Sequence, residues 1–137
     1  MRAAAALLAI AVALSGCTTT QVPPLEARWL PPFGSNNVFN TEPGAAPGHR
    51  LVVDDLRLPP GAVGATHYHP WEEYLYIIEG SAVVDYGDGA PRELGPGESI
   101  VIPARQVHTP RAGPAGVRGI VTRVHDLDDP IRVEVGE

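Results

Sequence analysis

The stretch Gly61–Gly80, GAVGATHYHPWEEYLYIIEG, decides how the 137-residue chain is read. It sets two of the five histidines, His67 and His69, one residue apart and places Glu73 four residues after the second. In a β-strand alternate side chains share a face, so His67 and His69 point the same way, and Glu73 has the same parity if the strand runs on. Glu72 has the opposite parity and is left to a salt bridge or a supporting contact. A fourth candidate, His108, ends the segment LGPGESIVIPARQVH, which reads as a short apolar strand between turn residues. Three neutral imidazoles and one carboxylate suit a divalent transition metal of borderline softness, and this donor set does not choose among Fe, Mn, Ni, Zn and Cu.

The same parity assigns the neighbours. Leu75 and Ile77 share the ligand face and are expected to wall a pocket for a small molecule, whereas Tyr74 and Tyr76 face away, toward surface or interface packing. Arg105, three residues before His108, is the candidate contact for an anionic substrate. His49 and His125 are read as ordinary packed or surface histidines.

The Gly61–Gly80 stretch resembles the first motif of the cupin family, a glycine, then His-x-His, then a glutamate and a closing glycine. Gly61, His67, His69, Glu73 and Gly80 fall on all of its marked positions. The second motif is matched through Gly89, Pro96-Gly97, Pro103 and His108, with Gly95 where a proline is usual and Ala112 where an asparagine is. The resemblance spans roughly residues 48–125 and implies a double-stranded β-helix, or jelly-roll barrel, holding a metal on His67, His69, Glu73 and His108.

Composition points the same way. Glycine and proline number 15 each, which fits short strands and tight turns better than helices, and no segment makes a convincing amphipathic helix. Strands are expected at Arg50–Leu58, Thr66–His69, Glu73–Glu79 with a turn at Gly80, Ser81–Tyr86, Ser99–Ile102, Val107–Thr109, Val117–His125 and Ile131–Val135. That spacing belongs to an all-β sandwich or barrel. The net charge is −6 and no lysine occurs, so nucleic-acid binding and any Schiff-base mechanism are set aside.

Ahead of this domain, residues 1–16 carry an arginine, an apolar run and small residues before Cys17, as a signal peptide does. Leu14-Ser15-Gly16-Cys17 resembles the lipobox of bacterial lipoproteins, so Cys17 is expected to be lipidated. The protein is then expected to be exported and held on a membrane, facing the periplasm or the cell surface. Residues 17–47 read as a tether and N-terminal arm, and 48–137 as the cupin domain. Trp29 and Phe33 are too apolar for a free linker and are expected to be buried, in their own domain or in a homodimer partner.

Four protein ligands leave open positions on a metal of higher coordination number, where a substrate can bind. Proteins with the resembled ligand set include dioxygenases, decarboxylases, isomerases and non-enzymatic binding proteins. The expectation is a metalloenzyme of dioxygenase or oxidoreductase type acting on a hydroxylated or enolisable substrate. The alternatives are a cell-surface module binding a sugar or organic acid through the metal, and a structural or metal-handling lipoprotein with a closed site.

Overall fold

A computed structural model describes residues 29–136. The expected signal peptide, lipobox and lipidation of Cys17 lie outside them. Among the described residues there are eight strands and no helix. They are β1 (Gly34–Thr41), β2 (His49–Leu58), β3 (His67–Tyr68), β4 (Glu73–Asp85), β5 (Arg92–Leu94), β6 (Ser99–Ile102), β7 (Thr109–Asp126) and β8 (Val133–Glu134). Six form an antiparallel sheet in the order β1-β2-β7-β4-β5, with β6 also on β4, and β3 pairs with β8 in a second, small sheet. His67 of the second sheet also bridges to His108, and Val63, ahead of β3, bridges to Arg111 of β7. The architecture is the all-β, cupin-type double-stranded β-helix.

Two strands are longer than their sequence suggests. Gly80 was expected to turn the chain, yet β4 continues through it with register shifts on either side, and β7 likewise runs unbroken from Thr109 to Asp126. The reason is steric. Gly80 has φ +73° and lies so close to the carbonyl of Gly116, itself at φ +84°, that a Cβ at Gly80 would run into it. The glycines make bulges where two long strands cross closely, and a bulge bends a strand without ending it.

The core is the inward face of these strands. Leu75, Ile77, Ala82, Val84, Leu94, Ile102, Ala112, Val117 and Val121 form one buried cluster. Burying a side chain such as the fully enclosed Ile77 stabilises the fold by about 1.5–3 kcal/mol. On the opposite face, Tyr74 and Tyr76 are exposed, as the alternation requires.

The arm differs from its expected form. Residues 34–41 pair with β2 along the sheet edge, and Asn36 adds side-chain bonds to the backbone of Pro32 and Asp55. Pro31 is fully buried, its carbonyl accepting from Arg57 at 2.9 Å. The aromatics do not follow it inward. Trp29 is 71% and Phe33 58% exposed on this chain, so the expected burial in their own domain does not occur. Backbone pairing and Pro31 dock the arm, while the Phe33 ring stays outside with the Arg57 guanidinium 4.3 Å from its centroid.

Candidate metal centre

The local sequence sets the three histidines. His67 enters β3, and Pro70, with no N–H to offer, ends that strand just after His69. His108 arrives by the turn at Pro103–Gln106, where Arg105 adopts φ +62° and donates its N–H to the His69 carbonyl at 2.8 Å. His67 and His108 then face each other as a hydrogen-bonded antiparallel pair, exchanging N–H···O bonds of 3.0 and 2.9 Å. Side chains so opposed share a face. The structure therefore brings His67, His69 and His108 together, all buried, with ligand nitrogens within 4.8 Å of one another.

Each imidazole is oriented by a backbone carbonyl. Nδ1 of His67 lies 2.7 Å from Ala65 O, Nδ1 of His69 2.5 Å from Ile131 O, and Nδ1 of His108 2.9 Å from Gln106 O. A carbonyl only accepts, so each Nδ1 holds the proton and each Nε2 keeps its lone pair. The His67 and His69 Nε2 atoms are 3.1 Å apart, and Glu73 Oε2 is 2.8 Å from His69 Nε2. Acceptors this close repel one another unless a cation stands among them. The donor set thus fits a divalent transition metal, held by Nε2 atoms whose ring partners are the carbonyls usual behind metal-bound histidine. Burial is the main cause holding His67 and His108 below the ordinary histidine range, which keeps them neutral and ready as ligands.

Glu73, on β4, borders the triad through His69. Burial pushes its pKa up, but the contact with His69 and the positive charge of the Arg123 guanidinium outweigh that, and the carboxyl sits below its usual range. Arg123 of β7, directly across the sheet, donates to the same Oε2 at 3.2 Å and to Asp54 Oδ2 at 2.7 Å. Arg123 and Asp54 were not singled out from the sequence. Their signal was parity: Arg123 alternates with Val121 and His125, and Asp54 with Val52 and Leu56, on faces that are otherwise inward and mostly apolar. Arg123 Nε and His125 Nε2 are buried without a hydrogen-bond partner among the described residues.

A cavity of about 250 Å³ opens from the three histidines and Glu73. Leu56, Leu75, Ile102, Val117 and Val121 give it apolar walls, Ser35 of β1 contributes from the arm, and Arg111, Arg123 and Arg132 line it too. Leu75 is placed as expected. Ile77 is not part of the lining; it is fully buried, packs into the core and stands next to a register shift. Arg105 is also absent from the lining; its backbone serves the His108 turn while its side chain is exposed. Glu72 is exposed and accepts from the Tyr74 hydroxyl at 2.8 Å. His49 lies near the surface, 3.4 Å from Asp126.

Comparison with known proteins agrees with this geometry. Residues 55–117 match the family described as Cupin domain. No curated protein sequence matches the chain. Among solved structures, oxalate decarboxylase from Bacillus subtilis is similar at 24% identity and TM-score 0.55, over 64% of this chain and 24% of that one. The DMSP lyase DddQ from Ruegeria pomeroyi DSS-3 is similar at 25% identity and TM-score 0.59, over 77% of this chain and 54% of that one. The polyketide cyclase RemF from Streptomyces resistomycificus is similar at 25% identity and TM-score 0.53, over 76% of each chain. The chain therefore spans about a quarter of the decarboxylase and about half of the lyase. Residues 55–117, whose three buried histidines line the cavity, match the cupin family in sequence, and the fold agrees.

Proposed function

We propose that this protein is a metal-dependent enzyme acting on a small hydroxylated or enolisable compound, of dioxygenase or oxidoreductase type when the ion is redox-active. The observation that carries the reading is the cluster of three carbonyl-oriented imidazoles at one end of a cavity of about 250 Å³. His67, His69 and His108 would hold the ion, with Glu73 as the fourth ligand. A divalent ion there supplies a Lewis acid and, if redox-active, a route for electrons to dioxygen. The protein's own contribution is shape and exclusion. The apolar walls keep water from the reacting centre, and Arg123 lines the same cavity. The decarboxylase, the lyase and the cyclase are each named for chemistry on a small organic molecule, which supports a substrate of that size.

The test is to load the protein separately with Fe(II), Mn(II), Ni(II), Zn(II) and Cu(II). Oxygen uptake and product formation are then followed over flavonols, catechols, diketones, hydroxy acids and DMSP. Turnover that disappears in His108→Ala supports the reading, and oxygen uptake coupled to it supports the dioxygenase form. Tight binding of sugars or organic acids by the metal-loaded protein, with no turnover of any compound, would replace it with a binding module.

We propose further that the domain works on a membrane surface through lipidated Cys17, and that a second copy covers the exposed Trp29 and Phe33. Cys17→Ser protein should leave the membrane fraction without detergent, and deletion of residues 18–46 should change the sedimentation coefficient.

A further inference from the structure

We infer that Asn37, Asp54 and Arg123 form a relay that positions Glu73, and that through it the N-terminal strand β1 becomes part of the metal centre. The inference rests on the metal-centre reading above. The four residues lie on four neighbouring strands, β1, β2, β7 and β4, and the sheet register brings them into line. Asn37 is the cross-strand partner of Asp54, and Arg123 the partner of Glu73, while Arg123 sits opposite Val52, diagonal to Asp54. Contacts follow that register. Asn37 Nδ2 donates to Asp54 Oδ1 at 3.0 Å, Arg123 Nη2 donates to Asp54 Oδ2 at 2.7 Å, and Arg123 Nη1 donates to Glu73 Oε2 at 3.2 Å.

Each link removes a freedom from the next. Asp54 uses one oxygen on Asn37 and the other on Arg123, so the carboxylate cannot rotate without breaking a buried bond. The guanidinium is planar and rigid, so fixing one nitrogen on Asp54 fixes where the other points. It points at Oε2, the same oxygen that lies 2.8 Å from His69 Nε2. One oxygen of Glu73 is therefore presented to the triad. A ligating carboxylate held in this way is a better-placed ligand than a free one, and loss of such supporting contacts costs about 10–100-fold in metal affinity.

A purely structural ion pair would behave differently. Replacing a buried ion pair by apolar groups of similar volume is often neutral for stability, and nothing in that role would reach the metal. The readouts are therefore Co(II) affinity, by chelator competition, and the visible absorption spectrum of the Co(II) protein, which reports its ligands. Full-chain wild type, Arg123→Met, Arg123→Lys, Asp54→Asn and Asn37→Ala are compared, with circular dichroism to confirm folding. Arg123→Met should bind Co(II) about tenfold more weakly with an altered spectrum, Arg123→Lys should recover part of the loss, and Asn37→Ala should move both readouts the same way by less. Should Arg123→Met fail to fold, Asp54→Asn and Asn37→Ala carry the test, since each keeps the guanidinium. Affinity and spectrum unchanged in the folded variants would overturn the relay and leave the metal centre standing. Wild type that binds no Co(II) would overturn both.

Discussion

The candidate metal centre has two halves that are built differently. Its three histidines are oriented by backbone carbonyls, two of them only two residues away, Ala65 for His67 and Gln106 for His108, with Ile131 the one distant partner, behind His69. Glu73 is held by side chains alone: Arg123, 50 residues away in sequence, with Asp54 behind it, 69 residues from Arg123. Backbone carbonyls do not move when a neighbouring side chain is changed, so the imidazole half should be robust to substitution around it. The carboxylate half depends on a chain of ion pairs and should be tunable. The difference suggests a division of labour in which the histidines hold the ion and Glu73 adjusts it.

The largest effect that would break this comparison lies in the histidine half. His67→Ala or His108→Ala should reduce metal affinity by more than the roughly 10–100-fold that loss of a supporting contact costs. Either change should also abolish the rise in melting temperature on metal addition, since an ion that binds only the native state stabilises it. Isothermal titration and thermal melts with Co(II) or Zn(II) check this. If a single histidine variant kept wild-type affinity, the histidines would not be the holding half.

Acid should separate the two halves in the metal-free protein. His67 and His108 titrate below the ordinary histidine value of about 6.5. Between those two values the unfolded chain binds more protons than the native state. Their contribution to stability is thus complete above about pH 6.5 and is lost as pH falls through the depressed native values. Glu73 is likewise depressed, so its contribution is present above its ordinary value of about 4.3 and disappears only at lower pH. Urea unfolding from pH 8 to pH 3 should show two successive losses. His67→Ala should weaken the upper one and Glu73→Gln the lower, and a single transition untouched by either would dissolve the distinction. In metal-loaded protein the upper loss should be steeper, because protons and metal compete for the same Nε2 atoms.

How much of this was visible in the sequence follows the same division. His67 and His69 could be read because strand parity is a local rule; the strand does not run on to Glu73, which opens β4 in the other sheet, yet all three line the same cavity. The bulges at Gly80 and Gly116 could not, since glycine marks a turn and a close strand crossing alike, and only the approach of the two backbones tells them apart. Ile77 shares parity with Leu75, but the register shift that follows it lies between strands and leaves no mark on the sequence. Arg123 and Asp54 did leave a local mark, a charge at an inward position of an apolar alternation. Their partner could not be read, because the pairing of β7 with both β2 and β4 is a property of the sheet. Trp29 and Phe33 misled for the converse reason: aromatic character promises burial, whereas the arm docks through backbone hydrogen bonds and Pro31.

The smallest effect is the sharpest test of register. Glu73→Gln keeps the shape of the side chain and removes its charge. If the carboxylate half only adjusts the ion, affinity should fall by about tenfold, within the range seen for supporting contacts, and far less than in a histidine variant. The ion that remains should be a stronger Lewis acid, since a neutral amide donates less charge to it than a carboxylate does, and the first ionisation of a metal-bound water should move to lower pH. Glu72→Gln, one residue away, should change neither quantity, because Glu72 is exposed and bonded to the Tyr74 hydroxyl on the opposite face of the strand. Metal titrations of the two variants side by side decide the matter. A loss of affinity in Glu72→Gln with none in Glu73→Gln would mean that β4 is read one residue out of register, and every inward and outward assignment along it would invert. A loss in Glu73→Gln as large as that of His108→Ala would instead keep the register and overturn the division of labour, making Glu73 a holding ligand equal to the imidazoles.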